Sequence, residues 1–369
     1  MIHYENVCLE SISYTLPEEI VTSAEIETRL APLYERLRMP EGRLELITGV
    51  RSRRFWSLGS RPSDISVESA EKAILAAKID RQDIGVLIHA SVCRDFLEPA
   101  TACSVHHRLG LSRACQIFDL SNACLGMLNG IVQVANMIEL GQARAGLVVG
   151  TESARPLVET TIAELNKNTS LSRDDIKLAV ASLTIGSGSS AVLVTHRELS
   201  QSGNRLIGGA ARANTDFHGL CHSSRDEAGG DRMRPLMTTD SERLMREGIA
   251  AGTETLEEFL REMNWSREDI DKTFCHQVGT MHRRKMFEAM QLDLQIDYPT
   301  IEYLGNTGSV ALPTAMAIGI ETDHVQSGDR IALLGIGSGI NCLMLGVDWQ
   351  QAPLRPRPST AKRSMASQP

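Results

Sequence analysis

The chain has 369 residues, 42% of them hydrophobic and 23% charged, and 38 Lys and Arg against 46 Asp and Glu leave a formal charge of −8. That acidic balance, with no long basic cluster in the body, argues against a nucleic-acid partner, whose phosphates demand a basic face. No apolar run approaches the roughly 20 residues that span a bilayer, and the start, Met-Ile-His-Tyr-Glu-Asn-Val, lacks the charged and apolar regions of a signal peptide, so a soluble cytoplasmic protein is expected.

In chain order, the first clear element is Ile84-Gly-Val-Leu-Ile-His-Ala-Ser91, a mostly apolar run of strand length. Glu98 then stands directly before Pro99, which opens a helix. Its carboxylate reads either as a cap on that helix or as a catalytic base. The strand-like Cys115-Gln-Ile-Phe-Asp-Leu-Ser121 leads to Cys124 and to an almost uninterrupted apolar helix from Leu125 to Ile138, the pattern of a helix sunk in a large domain. A thiol at the first turn of such a helix feels unsatisfied N–H groups and the positive end of the macrodipole, which predicts a lowered pKa and a nucleophile; the other reading is a cysteine that simply packs. Ala145-Gly-Leu-Val-Val149 is the next strand. This alternation is α/β grammar.

Two glycine loops echo each other. Leu183-Thr-Ile-Gly-Ser-Gly-Ser-Ser-Ala-Val-Leu-Val194 resembles Leu334-Gly-Ile-Gly-Ser-Gly-Ile-Asn-Cys-Leu-Met-Leu345, each leading into an apolar strand. They predict two similar halves, 1–200 and 201–350, divided where Ser, Gly and Asn cluster between Glu198 and Asn204. Gly186-Ser-Gly-Ser-Ser-Ala191 fits G-x-G-x-x-A, but a dinucleotide fingerprint opens a helix and this one opens a strand, so no nicotinamide cofactor is expected. His218, Cys221 and His222 are close in sequence but lie in a polar loop without further ligands, a poor metal site. The eight cysteines, at 8, 93, 103, 115, 124, 221, 275 and 342, form no CxxC pair and read as reduced thiols. His276 ends the short β-like run Phe274-Cys-His-Gln277 and precedes a helix, an edge where α/β proteins place functional groups. Asn306, in Gly305-Asn-Thr-Gly308, sits on a tight loop at a helix start, where a turn or cap role is the ordinary one. After Trp349 the chain turns rich in Pro, Arg and Ser, and 351–369 is expected to be a disordered tail.

Taken together, Asn-Ala-Cys124-Leu-Gly, Cys-His276-Gln-Val, Gly-Asn306-Thr-Gly-Ser and the late Gly-Ile-Gly-Ser338-Gly resemble, in order and spacing, the condensing enzymes of the thiolase superfamily, especially the 3-oxoacyl-ACP synthase III branch. Within that branch the segments from Ala90 to Ala102, Arg330 to Gly339 and Gly49 to Trp56 look like the OleA family, which joins two fatty acyl-CoA molecules head to head in bacterial olefin biosynthesis. The resemblance implies a duplicated thiolase fold, five-layer α-β-α-β-α with buried central helices, and a homodimer that needs no cofactor. It implies Cys124 as nucleophile, His276 and Asn306 as one oxyanion hole, and the backbone N–H groups of Cys124 and Ser338 as a second. It also implies Glu98 as the base that removes the α-proton of the second acyl-CoA, acting in the partner subunit's site. Arg51, Arg53 and Arg54 are candidates for the CoA phosphates or a solvated basic turn. The family motif His-Gln-Ala-Asn reads His276-Gln-Val-Gly279 here, and the Trp and Arg that sandwich the CoA adenine in bacterial synthase III have no counterpart upstream of Thr48. Two other enzymatic readings keep the same cysteine, histidine and asparagine, with malonyl-ACP as extender or with two carrier-bound chains in secondary metabolism. A thiolase-fold subunit without catalysis is the reading from a different class.

Overall fold

In a computed structural model, which describes residues 2–223 and 236–350, nine strands and six helices carry the architecture. The strands are β1 (Val7–Thr15), β2 (Ile84–Ala90), β3 (Gln116–Leu120), β4 (Ala145–Glu152), β5 (Gly188–His196), β6 (Arg205–Ala213), β7 (Lys272–Cys275), β8 (Arg330–Gly337) and β9 (Asn341–Asp348). The helices are α1 (Pro62–Ala77), α2 (Thr101–Leu109), α3 (Gly126–Glu139), α4 (Ser241–Met263), α5 (Thr280–Met290) and α6 (Ala311–Glu321). The tail expected at 351–369 lies outside the described residues.

The strands run in the order β7-β8-β9-β6-β1-β5-β4-β2-β3, with Ile2–His3 added beside β6. The path contains one weak joint: β1 meets β6 through the single pair Cys8↔Arg205. On either side the pairing repeats. β4 runs antiparallel to β5 and β5 to β1, while β8 runs antiparallel to β9 and β9 to β6. β2 is parallel to β4 as β7 is parallel to β8. The echo between the glycine loops is therefore an echo between β5 and β9.

Alternation along the strands explains the layering, since successive side chains face opposite sides of a sheet. Val86, Ile88, Val148, Val192 and Val194 point to one side of the first half-sheet, and Ile331, Leu333, Leu343 and Leu345 to one side of the second. All of them pack with Met127, Ile131 and Val134 of α3 and Leu312, Ala315 and Met316 of α6 in one core. Leu87, Leu147, Val149 and Leu193 face the other way, onto α1 and α2. Ala332, Leu334, Cys342 and Met344 likewise face α4 and α5. The result is five layers, α-β-α-β-α, with α3 and α6 in the middle. An all-apolar helix such as α3 is what that central position requires.

Candidate active site

Both central helices begin at the same end of the molecule, and the candidate residues collect there. Cys124 lies in a turn between β3 and α3. Ala123 takes a left-handed φ of 45°, at a cost of about 1–2 kcal/mol for a residue with a Cβ, and swings the chain out of the strand. The N–H groups of Leu125 and Gly126 are already used by the carbonyls of Asn122 (2.9 Å) and Ala123 (3.3 Å). Cys124 therefore stands ahead of the helix rather than in its first turn, and the N–H groups of the two residues that follow it are not free to meet its sulfur.

This corrects the expected pKa. Burial, with the Glu152 carboxylate and the Cys221 thiol within electrostatic reach, pushes the Cys124 thiol up to about 12. Desolvation of a buried thiolate outweighs what remains of the dipole. Attack by Cys124 must therefore lose its proton in the step itself rather than start from a resident thiolate.

The other half of the chain closes around this turn. A Cβ on Gly337 would meet Leu125 Cγ at 3.1 Å, so the end of β8 rests on the residue after Cys124, and Ser338 follows in a turn. Asn341 Nδ2 donates to Asn122 Oδ1 (3.3 Å) and to the Ser338 carbonyl (3.4 Å). A cavity of about 270 Å³ opens alongside, lined by Asn122, Leu125, Asn129, Arg212 and Asn341 among others.

Asn306 is held by backbone on both sides, donating its N–H to Thr184 O (2.9 Å) and accepting from Gly186 N (2.8 Å). Its Oδ1 accepts the Gly308 N–H (2.9 Å), which leaves the Nδ2 hydrogens as the donors it can offer a ligand. The two glycine segments cross in backbone contact: a Cβ on Gly186 would lie 1.9 Å from Leu304 O.

His276 continues β7 by donating its backbone N–H to Leu334 O (3.1 Å). Its ring is buried and both ring nitrogens lack a protein partner. Burial, then the nearby His282, pulls its pKa down to about 3, so the imidazole is neutral and has a single N–H to give. The following Gln277 fixes its placement: Nε2 donates to Tyr298 O (2.7 Å), and Oε1 accepts from Thr300 N (2.7 Å) and Ile301 N (2.8 Å), on the segment leading to Asn306.

Two residues that were not anticipated from sequence belong to the surroundings of Cys124, and one of them organises the site. Glu152, ending β4 and only 5% exposed, accepts from Val92 N (3.0 Å) and Cys93 N (3.2 Å) and from Ser309 Oγ (2.5 Å). It ties the loop that carries Glu98 to the start of α6. A carboxylate closing an otherwise apolar strand was the available signal. Cys221, read as part of a solvated loop, is half-buried and near Cys124.

Glu98 is exposed, on a loop whose Val92, Phe96 and Leu97 are 47%, 52% and 48% exposed. It does not cap α2: the N–H groups of Thr101 and Ala102 are taken by Asp119 at 2.7 and 2.8 Å. The arginines separate. Arg53 is fully buried and donates to Val21 O (3.4 Å) and Ser23 Oγ (3.1 Å), so it cannot meet CoA phosphates; on the Ser52–Phe55 strand, alternation turns it inward. Arg51 is exposed and paired with Glu302, and Arg54 donates to Pro17 O (2.7 Å).

Thiolase-superfamily condensing enzymes are built on this duplicated five-layer scaffold. Residues 57–204 match the thiolase N-terminal domain and residues 260–349 the C-terminal domain of 3-oxoacyl-[acyl-carrier-protein] synthase III. An acyl-CoA:acyl-CoA alkyltransferase of Shewanella oneidensis is 40% identical over 94% of this chain and 99% of its own length, and one of Xanthomonas campestris is 33% identical over 94% and 99%. The chain belongs to the acyl-CoA:acyl-CoA alkyltransferase family and is an acyltransferase. A crystal structure of Xanthomonas campestris OleA matches it with a TM-score of 0.88 at 33% identity, covering 95% of this chain and 98% of that one. A 3-oxoacyl-(acyl carrier protein) synthase III of Xanthomonas oryzae matches with a TM-score of 0.88 at 32% identity, covering 95% and 100%. OleA structures of the same shape include forms substituted at a cysteine, a glutamate or a histidine, one bound to cerulenin, and one with lauric acid and lauroyl-CoA. Among the described residues, no helix is long and apolar enough to cross a membrane.

Proposed function

We propose that this protein performs a non-decarboxylative Claisen condensation of two long-chain fatty acyl-CoA molecules, as a cytoplasmic homodimer. Cys124 attacks the first thioester, its proton passing to the departing CoA thiolate, and holds the acyl chain as a thioester. Glu98 of the partner subunit removes the α-proton of the second acyl-CoA. A carboxylate is a weak base for that proton, so the forming enolate oxygen must be met by strong donors, His276 Nε2–H and Asn306 Nδ2–H. The enolate carbon attacks the acyl-Cys124 carbonyl, whose oxyanion is received by the backbone N–H groups of Cys124 and Ser338, and the thiolate leaves. Water then cleaves the remaining CoA thioester to give a 2-alkyl-3-oxo acid. Two acyl-CoA and one water yield one β-keto acid and two CoA, and every group used is a side chain or backbone amide, so the reaction calls on no cofactor.

The observation that carries this reading is the Glu98 loop. Its carboxylate is exposed among apolar side chains, released from capping by Asp119, and anchored by Glu152 to the Cys124 and Asn306 environment. A decarboxylating synthase, drawing its carbanion from malonyl-ACP, has no use for a base there. We also read the chain as two halves, 1–200 and 201–350, on the support of the repeated strand pairing either side of Cys8↔Arg205. Arg51 and Arg54 remain the proposed contacts for CoA phosphates.

The test is mass spectrometry of products from a long-chain acyl-CoA alone and, in parallel, with malonyl-ACP. A β-keto acid or its ketone, built from two acyl chains without malonyl-ACP, is expected; product only with malonyl-ACP would place the chain with the decarboxylating synthases. Cys124→Ala should release no CoA, and Glu98→Ala should acylate Cys124 yet form no carbon–carbon bond.

A further inference from the structure

The loop between β2 and α2, which carries Glu98, is pinned at both roots by a carboxylate. At its far root Asp119 accepts the N–H groups of Thr101 and Ala102 (2.7 and 2.8 Å). At its near root Glu152 accepts the Val92 N–H (3.0 Å) through Oε1 and the Cys93 N–H (3.2 Å) through Oε2. The same Oε1 accepts the Ser309 hydroxyl (2.5 Å) and the Ser309 N–H (3.4 Å), in the turn that leads into α6. Two residues beyond Asn306, a Cβ on Gly308 would approach the Glu152 carboxyl carbon to 3.3 Å. The backbone of Glu152 is fixed as well, because Trp56 Nε1 donates to its carbonyl (2.9 Å). Burying a carboxylate is costly, and four donors offset that cost. An alanine or serine ending β4 would avoid the cost but could not hold two separate segments at once. Asn306 has its own backbone bonds to Thr184 and Gly186, and the Cys124 turn is closed by the carbonyls of Asn122 and Ala123. What Glu152 adds is a seat for the first residues of the Glu98 loop. Midway, Asp95 Oδ1 accepts the Ser63 N–H (2.9 Å), and Phe96, Leu97 and Glu98 beyond it are exposed, so the place of the Glu98 carboxylate follows from the roots.

We propose that Glu152 is a positioning residue for the base: by holding the Val92 and Cys93 amides against Ser309, it sets where the loop presents the Glu98 carboxylate to the partner subunit's site. This rests on the reading of Glu98 as a base that acts across the dimer. The frame that carries Asn306 in one site thereby aims the base of the other, and a small misplacement of a reacting group costs rate steeply. No covalent step is added.

The test puts Glu152→Gln into one subunit at a time. Glutamine keeps the size, but whichever oxygen becomes an NH2 group then faces a backbone N–H, that of Val92 or that of Cys93. In heterodimers of Cys124→Ala with Glu98→Ala subunits, the complete site takes its carboxylate from the Cys124→Ala chain. Added to that chain, Glu152→Gln should slow condensation about tenfold relative to the parent pair, the worth of one hydrogen bond, and added to the Glu98→Ala chain it should cost less than about twofold. Acylation of Cys124, read as CoA released in the first turnover, should not slow in either. Equal losses, the reverse pattern, no loss, or a loss confined to acylation would overturn the inference. An inactive parent pair after verified exchange would remove the action of Glu98 across the dimer, and full condensation by Glu98→Ala homodimers would remove the base itself. With the parent pair inactive, the Glu152→Gln homodimer decides: intact acylation with slowed condensation upholds the positioning role, and condensation at the wild-type rate ends it. Should Glu152→Gln fail to fold, Ser309→Ala, which removes the 2.5 Å bond alone, takes its place with the same pattern expected.

Discussion

Cys124 shows how a single residue can be recognised for one reason and work for another. Its place between strand and buried helix marks it in the sequence, but the thiol is not activated by the helix terminus, because Asn122 and Ala123 use the nearest N–H groups and burial dominates. Its alkylation by iodoacetamide should therefore climb steadily with pH to 10 and beyond; a plateau near pH 7–8 would show a resident thiolate. Glu152→Gln removes one of the charges that raise the thiol, and should speed alkylation at pH 8, by up to about tenfold for one unit of pKa. Glu152 escaped sequence reading because a lone acidic residue at a strand end says nothing about which loops it will bind.

At the level of elements, the site depends on segments that touch through backbone. The crossing of the Thr184–Gly188 and Leu304–Gly308 segments leaves no room for a methyl group at Gly186. Gly186→Ala should cost about 1–3 kcal/mol, read by denaturant unfolding, and should lower kcat more than it raises KM, because Asn306 rides on the displaced segment. Equal stability of the variant would mean the crossing relaxes. Strands β2, β3 and β4, the buried helix after Cys124 and the glycine echo were legible in the sequence, since each is a local pattern of apolar residues and turns, whereas β1 and β6, which join the two halves of the sheet, were not. The inward face of Arg53 was not, although alternation on a short strand hinted at it.

For the whole molecule, histidines whose rings are shielded from water contribute to the response to acid. His276 and His282 titrate near 3 and 4 in the folded chain, and burial also lowers His89, whereas an unfolded histidine titrates near 6.5. The unfolded chain thus takes up protons first. The stability that these histidines contribute is full above about pH 6.5 and is lost as pH drops toward 4, by about 1.4 kcal/mol per pH unit for each group. Asp297, pushed up by burial, works in the opposite sense. Unfolding free energies between pH 7.5 and 5 should show this slope, and replacing His276 and His282 with Asn should flatten it; an unchanged slope would refute the assignment. Quaternary structure has its own test. If Glu98 serves the partner's site, mixing Cys124→Ala with Glu98→Ala subunits creates heterodimers with one complete site, and random exchange should return about a quarter of wild-type activity. No recovery after verified exchange would confine Glu98 to its own chain.

The sequence by itself determined the α/β alternation, the echo between the two glycine loops, and the candidacy of Cys124, Glu98, His276 and Asn306, because strand and helix periodicity and short motifs are properties of neighbours along the chain. The tertiary structure decided what those residues experience: burial turned the expected thiolate into a thiol, Asp119 rather than Glu98 took the helix cap, Arg53 went inside, and the His276 ring was buried with neither nitrogen partnered by protein. Desolvation and hydrogen-bond partners arise between segments more than a hundred residues apart, as with Glu152 and Ser309, and no local pattern encodes them.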